Sequence, residues 1–140
     1  MDPAHRAFAL TTVALFVKMF LVALVQGVTR FRTRSFVRPE DAVFFGGAAP
    51  TSEDPLTERA QNTLRNDVEN IPIFLFLALA AVELAPSPRL PWYFGAFVLS
   101  RYLHTATYLR PTQPLRNRAY IIGQAVCMAL SVELVLAATR

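Results

Sequence analysis

Four long apolar stretches, at about residues 7–28, 71–85, 90–109 and 119–138, dominate this 140-residue sequence. A hydrocarbon layer is crossed by about 20 apolar residues in a helix, because a helix satisfies its own backbone where no water is present. The stretches therefore predict an all-α chain: an integral membrane four-helix bundle, one domain over 1–140, with spans at about 7–29, 60–85, 90–109 and 117–138. The second apolar core is short, so residues from about Asn66 onward must enter the membrane zone. Those polar groups are expected to face other helices, since lipid would leave them unsatisfied. A composition of 54% hydrophobic and 17% charged residues departs from that of a soluble domain in the same direction. The first stretch is too long for a signal-peptide core and runs into arginines rather than a small-residue cleavage site, so it reads as a retained span.

The formal charge is +4. The arginines gather at the ends of the apolar runs, where they act as cytoplasmic anchors, and this argues against nucleic acid as a partner. Arg30, Arg32, Arg34 and Arg38 follow the first span; Arg110, Arg116 and Arg118 lie between the third and fourth; Arg89 stands alone between the second and third. The positive-inside rule then puts the first and third connections in the cytoplasm and both termini outside. A ratio of 13 arginines to one lysine, with abundant alanine, suggests a GC-rich genome. That points to a bacterial inner membrane, or to the endoplasmic reticulum for a eukaryotic chain. Prolines at 86, 88, 91, 111 and 114 close the two short connections. The segment 30–57, with Gly46-Gly47, Pro39, Pro50 and Pro55, reads as a long irregular loop. Cys127 is the sole cysteine, and His5 and His104 are far apart, so neither an internal disulfide nor a metal site is expected.

Polar residues inside the apolar zone form three stripes. Arg101, His104 and Tyr108 are spaced i, i+3, i+7 on one face of the third span. Arg116, Tyr120 and Gln124 follow i, i+4, i+8 in the fourth, and Arg65, Asn66, Glu69 and Asn70 cluster at the start of the second. All three stripes lie toward the same end of a bundle of alternating helices. Arginine outnumbers carboxylate there, so an anionic ligand suits them, and a planar guanidinium fits a carboxylate bidentately. The plainer alternative is a set of buried structural pairs, such as Arg65–Glu69 or Arg101 with a carboxylate, in a non-catalytic scaffold. Lys18, in the middle of the first span, reads either as a helix–helix contact or as the structural partner of an acidic residue. Trp92 and Tyr93 read as interfacial aromatics.

Three segments, Glu58-Arg59 with 65–72, 101–109, and Pro39-Glu40-Asp41 with Phe45-Gly46, together resemble the MAPEG family, the membrane-associated proteins in eicosanoid and glutathione metabolism. Glu58-Arg59 followed by Arg65-Asn66-Asp67-Val68-Glu69-Asn70-Ile71-Pro72 is similar to the family's E-R…N-D-x-E-N-I signature. Arg101 to Leu109 (RYLHTATYL) resembles R-x-x-H-T-x-x-Y-L, and Pro39-Glu40-Asp41 with Phe45-Gly46 resembles the N-P-E-D…F-G loop of microsomal glutathione S-transferase and prostaglandin E synthase. Order and spacing hold over nearly the whole chain. The resemblance implies a homotrimer that binds glutathione between neighbouring subunits at the cytoplasmic side. Position by position it implies a glutathione site of Arg30, Arg65, Asn66, Glu69, Arg101, His104, Tyr108, Tyr120 and Gln124. It makes Arg116 the stabiliser of the thiolate and Asp41 a supporting carboxylate.

A free thiol, with a pKa of about 8.5, is mostly protonated at neutral pH, and a guanidinium beside the sulfur favours the thiolate. The resemblance thus implies a glutathione transferase acting on lipophilic electrophiles or hydroperoxides drawn from the bilayer, with glutathione peroxidase activity alongside. The alternative is a glutathione-dependent isomerase of the prostaglandin E synthase type. Asp41, Arg65 and the Arg116/Tyr120/Gln124 spacing favour the isomerase; Tyr108-Leu109-Arg110-Pro111 and Asn70-Ile71 lean to the transferase. The chain departs from the transferase branch at Gln61, Asn62 and Leu64, where basic and histidine residues are usual, and has Ala42 where some members carry a stress-sensing cysteine. Spacing to Tyr120 and Gln124 favours Arg116 as the thiolate partner, whereas Asn117-Arg118-Ala119 resembles the transferase's own local pattern.

Overall fold

The computed structural model describes residues 2–47 and 49–139. Five helices follow in chain order: α1 Pro3–Thr33, α2 Pro39–Phe45, α3 Pro55–Leu84, α4 Leu90–Leu109 and α5 Leu115–Ala138. The starts of the two longest are fixed by local chemistry. Asp2 and Asp54 are N-caps followed by proline at the first helical position, and their carboxylates accept from the amides of Ala4 (2.9 Å) and Leu56 (2.9 Å). Pro72 sits inside α3 without ending it.

α3 and α4 pack together at the centre; α1 and α5 each pack against both. Among the described residues α1 and α5 do not pack against one another, so they lie on opposite flanks of the central pair. These flanking helices are the two that are long and apolar enough to cross a membrane. The more polar α3 thus lies in the middle, as an apolar surrounding requires.

The buried seam of α3 runs Thr57, Ala60, Thr63, Asp67, Ile71, Phe74, Ala78 and Ala81, a helical repeat of three and four. Its apolar half builds the core: Phe74 stacks on Phe97 with ring centroids 3.7 Å apart and meets Phe94 edge-on at 6.0 Å. Gly123 brings α5 close to α4, because a Cβ there would stand 3.1 Å from Ser100 Oγ.

The connection 30–57 is more ordered than its glycines and prolines suggest. α1 runs on to Thr33, and α2 forms after it. Pro39 opens α2, Glu40 and Asp41 place negative charge in its first turn, and Gly46 closes it in the left-handed region at φ 67°. Phe31, Phe36 and Phe45 meet edge-on or stacked, at 5.0 to 5.7 Å, and hold α2 against the end of α1. Gly47 admits no side chain: a Cβ would lie 2.5 Å from the Arg34 carbonyl oxygen and 2.8 Å from the Phe36 ring.

Alternating helix direction puts the C-terminal ends of α1 and α4 and the N-terminal ends of α3 and α5 at one end of the bundle. At the opposite end His5 faces Glu83 at 3.0 Å and Arg89 faces Glu133 at 3.4 Å, all at or near the surface.

Candidate active site

Every residue of the three sequence stripes lies in the half of the bundle that contains α2. At the inner edge of that half, level with the middle of α1 and α4, the bundle is charged. Asp67 on α3 is fully buried, hydrogen-bonded to the buried Lys18 of α1, and has Arg101 Nε of α4 at 3.8 Å. Arg101 is itself 1% exposed and donates through Nη2 to Asn66 Oδ1 at 2.7 Å. Two cations therefore flank one carboxylate; the Asn66 amide takes Arg101 Nη2, while Arg101 Nε and Asp67 Oδ1 are left without a hydrogen-bond partner.

From Asn66 the network continues to the other flank. Asn70 Nδ2 donates to the Asn66 carbonyl oxygen at 2.7 Å, and Gln124 Nε2 of α5 donates to Asn70 Oδ1 at 2.5 Å. A polar relay thus crosses the bundle at one level: Lys18, Asp67, Arg101, Asn66, Asn70, Gln124. It touches all four long helices.

Nearer the bundle end on the α4–α5 side lies an aromatic and cationic group. The His104 ring is 5.6 Å from that of Tyr108 and 6.4 Å from that of Tyr120. The Arg116 guanidinium lies over the Tyr108 ring, 4.7 Å from its centroid. No carboxylate pairs with Arg116 among the described residues. His104 is buried and its Nδ1 has no hydrogen-bond partner. Arg116 is half-buried against this group, whereas Arg118 is exposed.

Arg30 and Asp41 lie on the α1 flank instead. With Arg38, Glu53, Gln61 and Phe36 they line a cavity of about 350 Å³. Glu53 pairs with Arg30 through both Nη2 and Nε, and accepts from Gln61 Nε2 at 3.0 Å. Arg65 and Glu69 point away from both groups. They form an i, i+4 pair at 3.7 Å with side chains 82% and 62% exposed, so within one chain they are surface residues.

The structure therefore brings Asn66, Arg101 and Gln124 into one relay and gathers His104, Tyr108, Tyr120 and Arg116 beside it. Arg30 and Asp41 are set apart on the opposite flank. Sequence reasoning missed Asp67 and Glu53. Asp67 carries a readable signal, because it falls in register with the buried seam of α3 rather than on the face shared by Asn66 and Glu69. Lys18 finds its acidic partner there, the second of the two alternatives for it. Glu53 lies in a connection and has no periodicity to betray it.

An all-helical bundle whose two flanking helices are apolar enough to cross a membrane, with a charged layer between them, suits a membrane protein. The chain belongs to the MAPEG family, whose family model matches residues 8–136. It is 37% identical over 141 residues to prostaglandin E synthase of Macaca fascicularis, covering 99% of this chain and 93% of that protein. To prostaglandin E synthase of Homo sapiens it is 36% identical over the same length and coverage. To microsomal glutathione S-transferase 1 of Homo sapiens it is 31% identical over 139 residues, covering 95% of this chain and 90% of that protein. These relatives are enzymes, and the chain is a member of an enzyme family.

Proposed function

We propose that this chain is a glutathione-dependent membrane isomerase of the prostaglandin E synthase type. In this reading it crosses the bilayer four times, assembles as a homotrimer and binds glutathione at the cytoplasmic end of the bundle. The observation that carries the proposal is the Arg116 guanidinium on Tyr108, which meets the neutral Gln113 amide but no carboxylate, beside the buried and unpartnered Nδ1 of His104. A buried polar atom without a partner is costly, and a polar anionic ligand relieves that cost while neutralising the arginine. The donor set present suits glutathione: guanidiniums for its carboxylates, amides and a histidine for its peptide groups.

Glutathione supplies the sulfur nucleophile. Arg116 favours the ionised sulfur by charge, and the Tyr108 face fixes that guanidinium in place. Asn66, Arg101, His104, Tyr108, Tyr120 and Gln124 bind and orient from one copy. Arg30 and Asp41 lie on the flank that α5 does not reach, so they fit the same ligand when a neighbouring copy presents its α1 side. The exposed Arg65 and Glu69 gain a role in the same way. The separation of the two flanks within one chain thus favours a site between copies.

The identities with two prostaglandin E synthases favour the isomerase over the transferase. The transferase, with peroxidase activity toward lipid hydroperoxides, is the second reading, favoured by Asn70-Ile71 and by the microsomal transferase relative. Stoichiometry separates them. An isomerase turns over a cyclic lipid endoperoxide with glutathione conserved; a transferase consumes one glutathione per molecule of aryl halide conjugated. Under either reading Arg116→Ala should lower turnover by about 10²–10³-fold, the usual loss on removing a charge-stabilising donor. The thiolate absorption band of bound glutathione should fall with it, and Arg118→Ala should leave both largely in place. Purified protein that neither binds glutathione nor turns over either substrate would overturn the proposal.

A further inference from the structure

Glu53 holds Arg30 in the geometry that a ligand carboxylate would use. Nη2 and Nε of the guanidinium both face it, one to each oxygen, and Gln61 Nε2 adds a third donor at 3.0 Å. The two side chains are 33% and 16% exposed, so the pair is partly withdrawn from water and more than a surface contact. It sits at the wall of a cavity of about 350 Å³, large enough for several heavy atoms of a ligand, with Arg38 and Asp41 also lining it. A guanidinium fork engaged on both edges of one side has little left for a second carboxylate.

We infer that Glu53 is an internal competitor for Arg30, and that a glutathione carboxylate must displace it to bind. This rests on the glutathione reading above and deepens it. Glu53 then sets the affinity, because only the fraction of molecules in which Arg30 is free is competent to bind at this point. It also sets selectivity: a ligand lacking a carboxylate cannot take the Arg30 position and gains nothing from its release. Gln61 holds Glu53 in place through the amide, so loosening it should act in the same direction as removing the charge.

The test is equilibrium binding of glutathione to the detergent-purified full chain, with thermal unfolding and oligomer size measured on each variant. Glu53→Gln should tighten glutathione binding by about three- to tenfold, the scale of a partly exposed ion pair released from competition. The exposed Glu40→Gln, which makes the same charge change off Arg30, should alter it by less than about twofold. Gln61→Leu should tighten binding by less than Glu53→Gln does, and it covers the case in which Glu53→Gln folds poorly. The gain should vanish in an Arg30→Ala background, as a double-mutant cycle requires, and with glutathione diethyl ester, whose carboxylates are masked. Unchanged or weaker glutathione binding in both Glu53→Gln and Gln61→Leu overturns the competitor role and leaves the glutathione site standing. Absence of glutathione binding in the parent chain and in every variant overturns the site and the competitor together.

Discussion

The two ends of this bundle treat charge in opposite ways. At the end holding Asp2, His5, Glu83, Arg89 and Glu133, opposite charges meet at or near the surface: His5 lies between Asp2 and Glu83, and Arg89 faces Glu133. In the other half Lys18 and Arg101 share a single buried carboxylate, and Arg116 rests on an aromatic ring. Exposed pairs contribute little to stability, because water serves each ion nearly as well. A buried group with surplus positive charge is expensive and persists only where the surrounding helices over-determine it. The first end joins helices; the second stores a positive field in a low-dielectric place, where it acts strongly on an anion.

The sharpest way to break the comparison is to change the count of buried charges. Asp67→Asn leaves Lys18 and Arg101 facing each other without a carboxylate and should destabilise the bundle by about 3–5 kcal/mol, or abolish folding. Lys18→Met leaves Asp67 facing Arg101, a balanced pair, and should cost far less. Thermal unfolding of both variants in the same detergent decides the point. Equal losses would mean that packing of the Lys18 stem, and not the charge count, is what matters here.

Gly47→Ala probes the second half from its edge. The new methyl meets the Arg34 carbonyl oxygen and the Phe36 ring, which anchors α2, and overpacking of this kind costs about 1–3 kcal/mol. The expected result is a lowered unfolding midpoint with faster proteolysis between α1 and α3. A Gly47→Ala chain that melts and is cleaved like the parent would show that α2 is not held as tightly as its aromatic contacts suggest.

Much of this layout was legible beforehand, for definite reasons. Apolar runs of span length dictate helices because lipid allows little else, and i, i+3, i+4 spacing put Arg101, His104 and Tyr108 on one face. Alternating helix direction then put the stripes in one half. Pairing between helices was not legible. Periodicity ranks residues within a helix but cannot say that Lys18 meets Asp67 across 49 residues of chain, or that Arg65 and Glu69 turn outward while Asn66 turns in. Glu53 was hidden because α2 and the segment after it are placed by an aromatic cluster and a glycine of close approach, which are tertiary facts.

The smallest expected effect sharpens the comparison at the solvent-exposed end. His5 lies in the exposed first turn of α1, with Nε2 on Glu83 at 3.0 Å and Nδ1 on Asp2 at 3.4 Å. Both ring nitrogens face carboxylates, which favours the doubly protonated ring. The hydrogen bond to Glu83, then that to Asp2, hold its pKa above the ordinary 6.5 against a lesser opposing effect of burial. A raised pKa in the folded state means that the clamp contributes fully below the unfolded value and is lost as pH climbs through the folded one. Amide exchange at residues 4–8 should therefore accelerate, beyond the intrinsic increase, as pH rises above the ordinary 6.5. His5→Gln should remove that extra acceleration while leaving exchange around Phe74 and Asp67 unchanged. If the extra acceleration persists in His5→Gln, the clamp is not the cause. If it spreads to the core helices, the two ends are coupled and the division drawn between them fails.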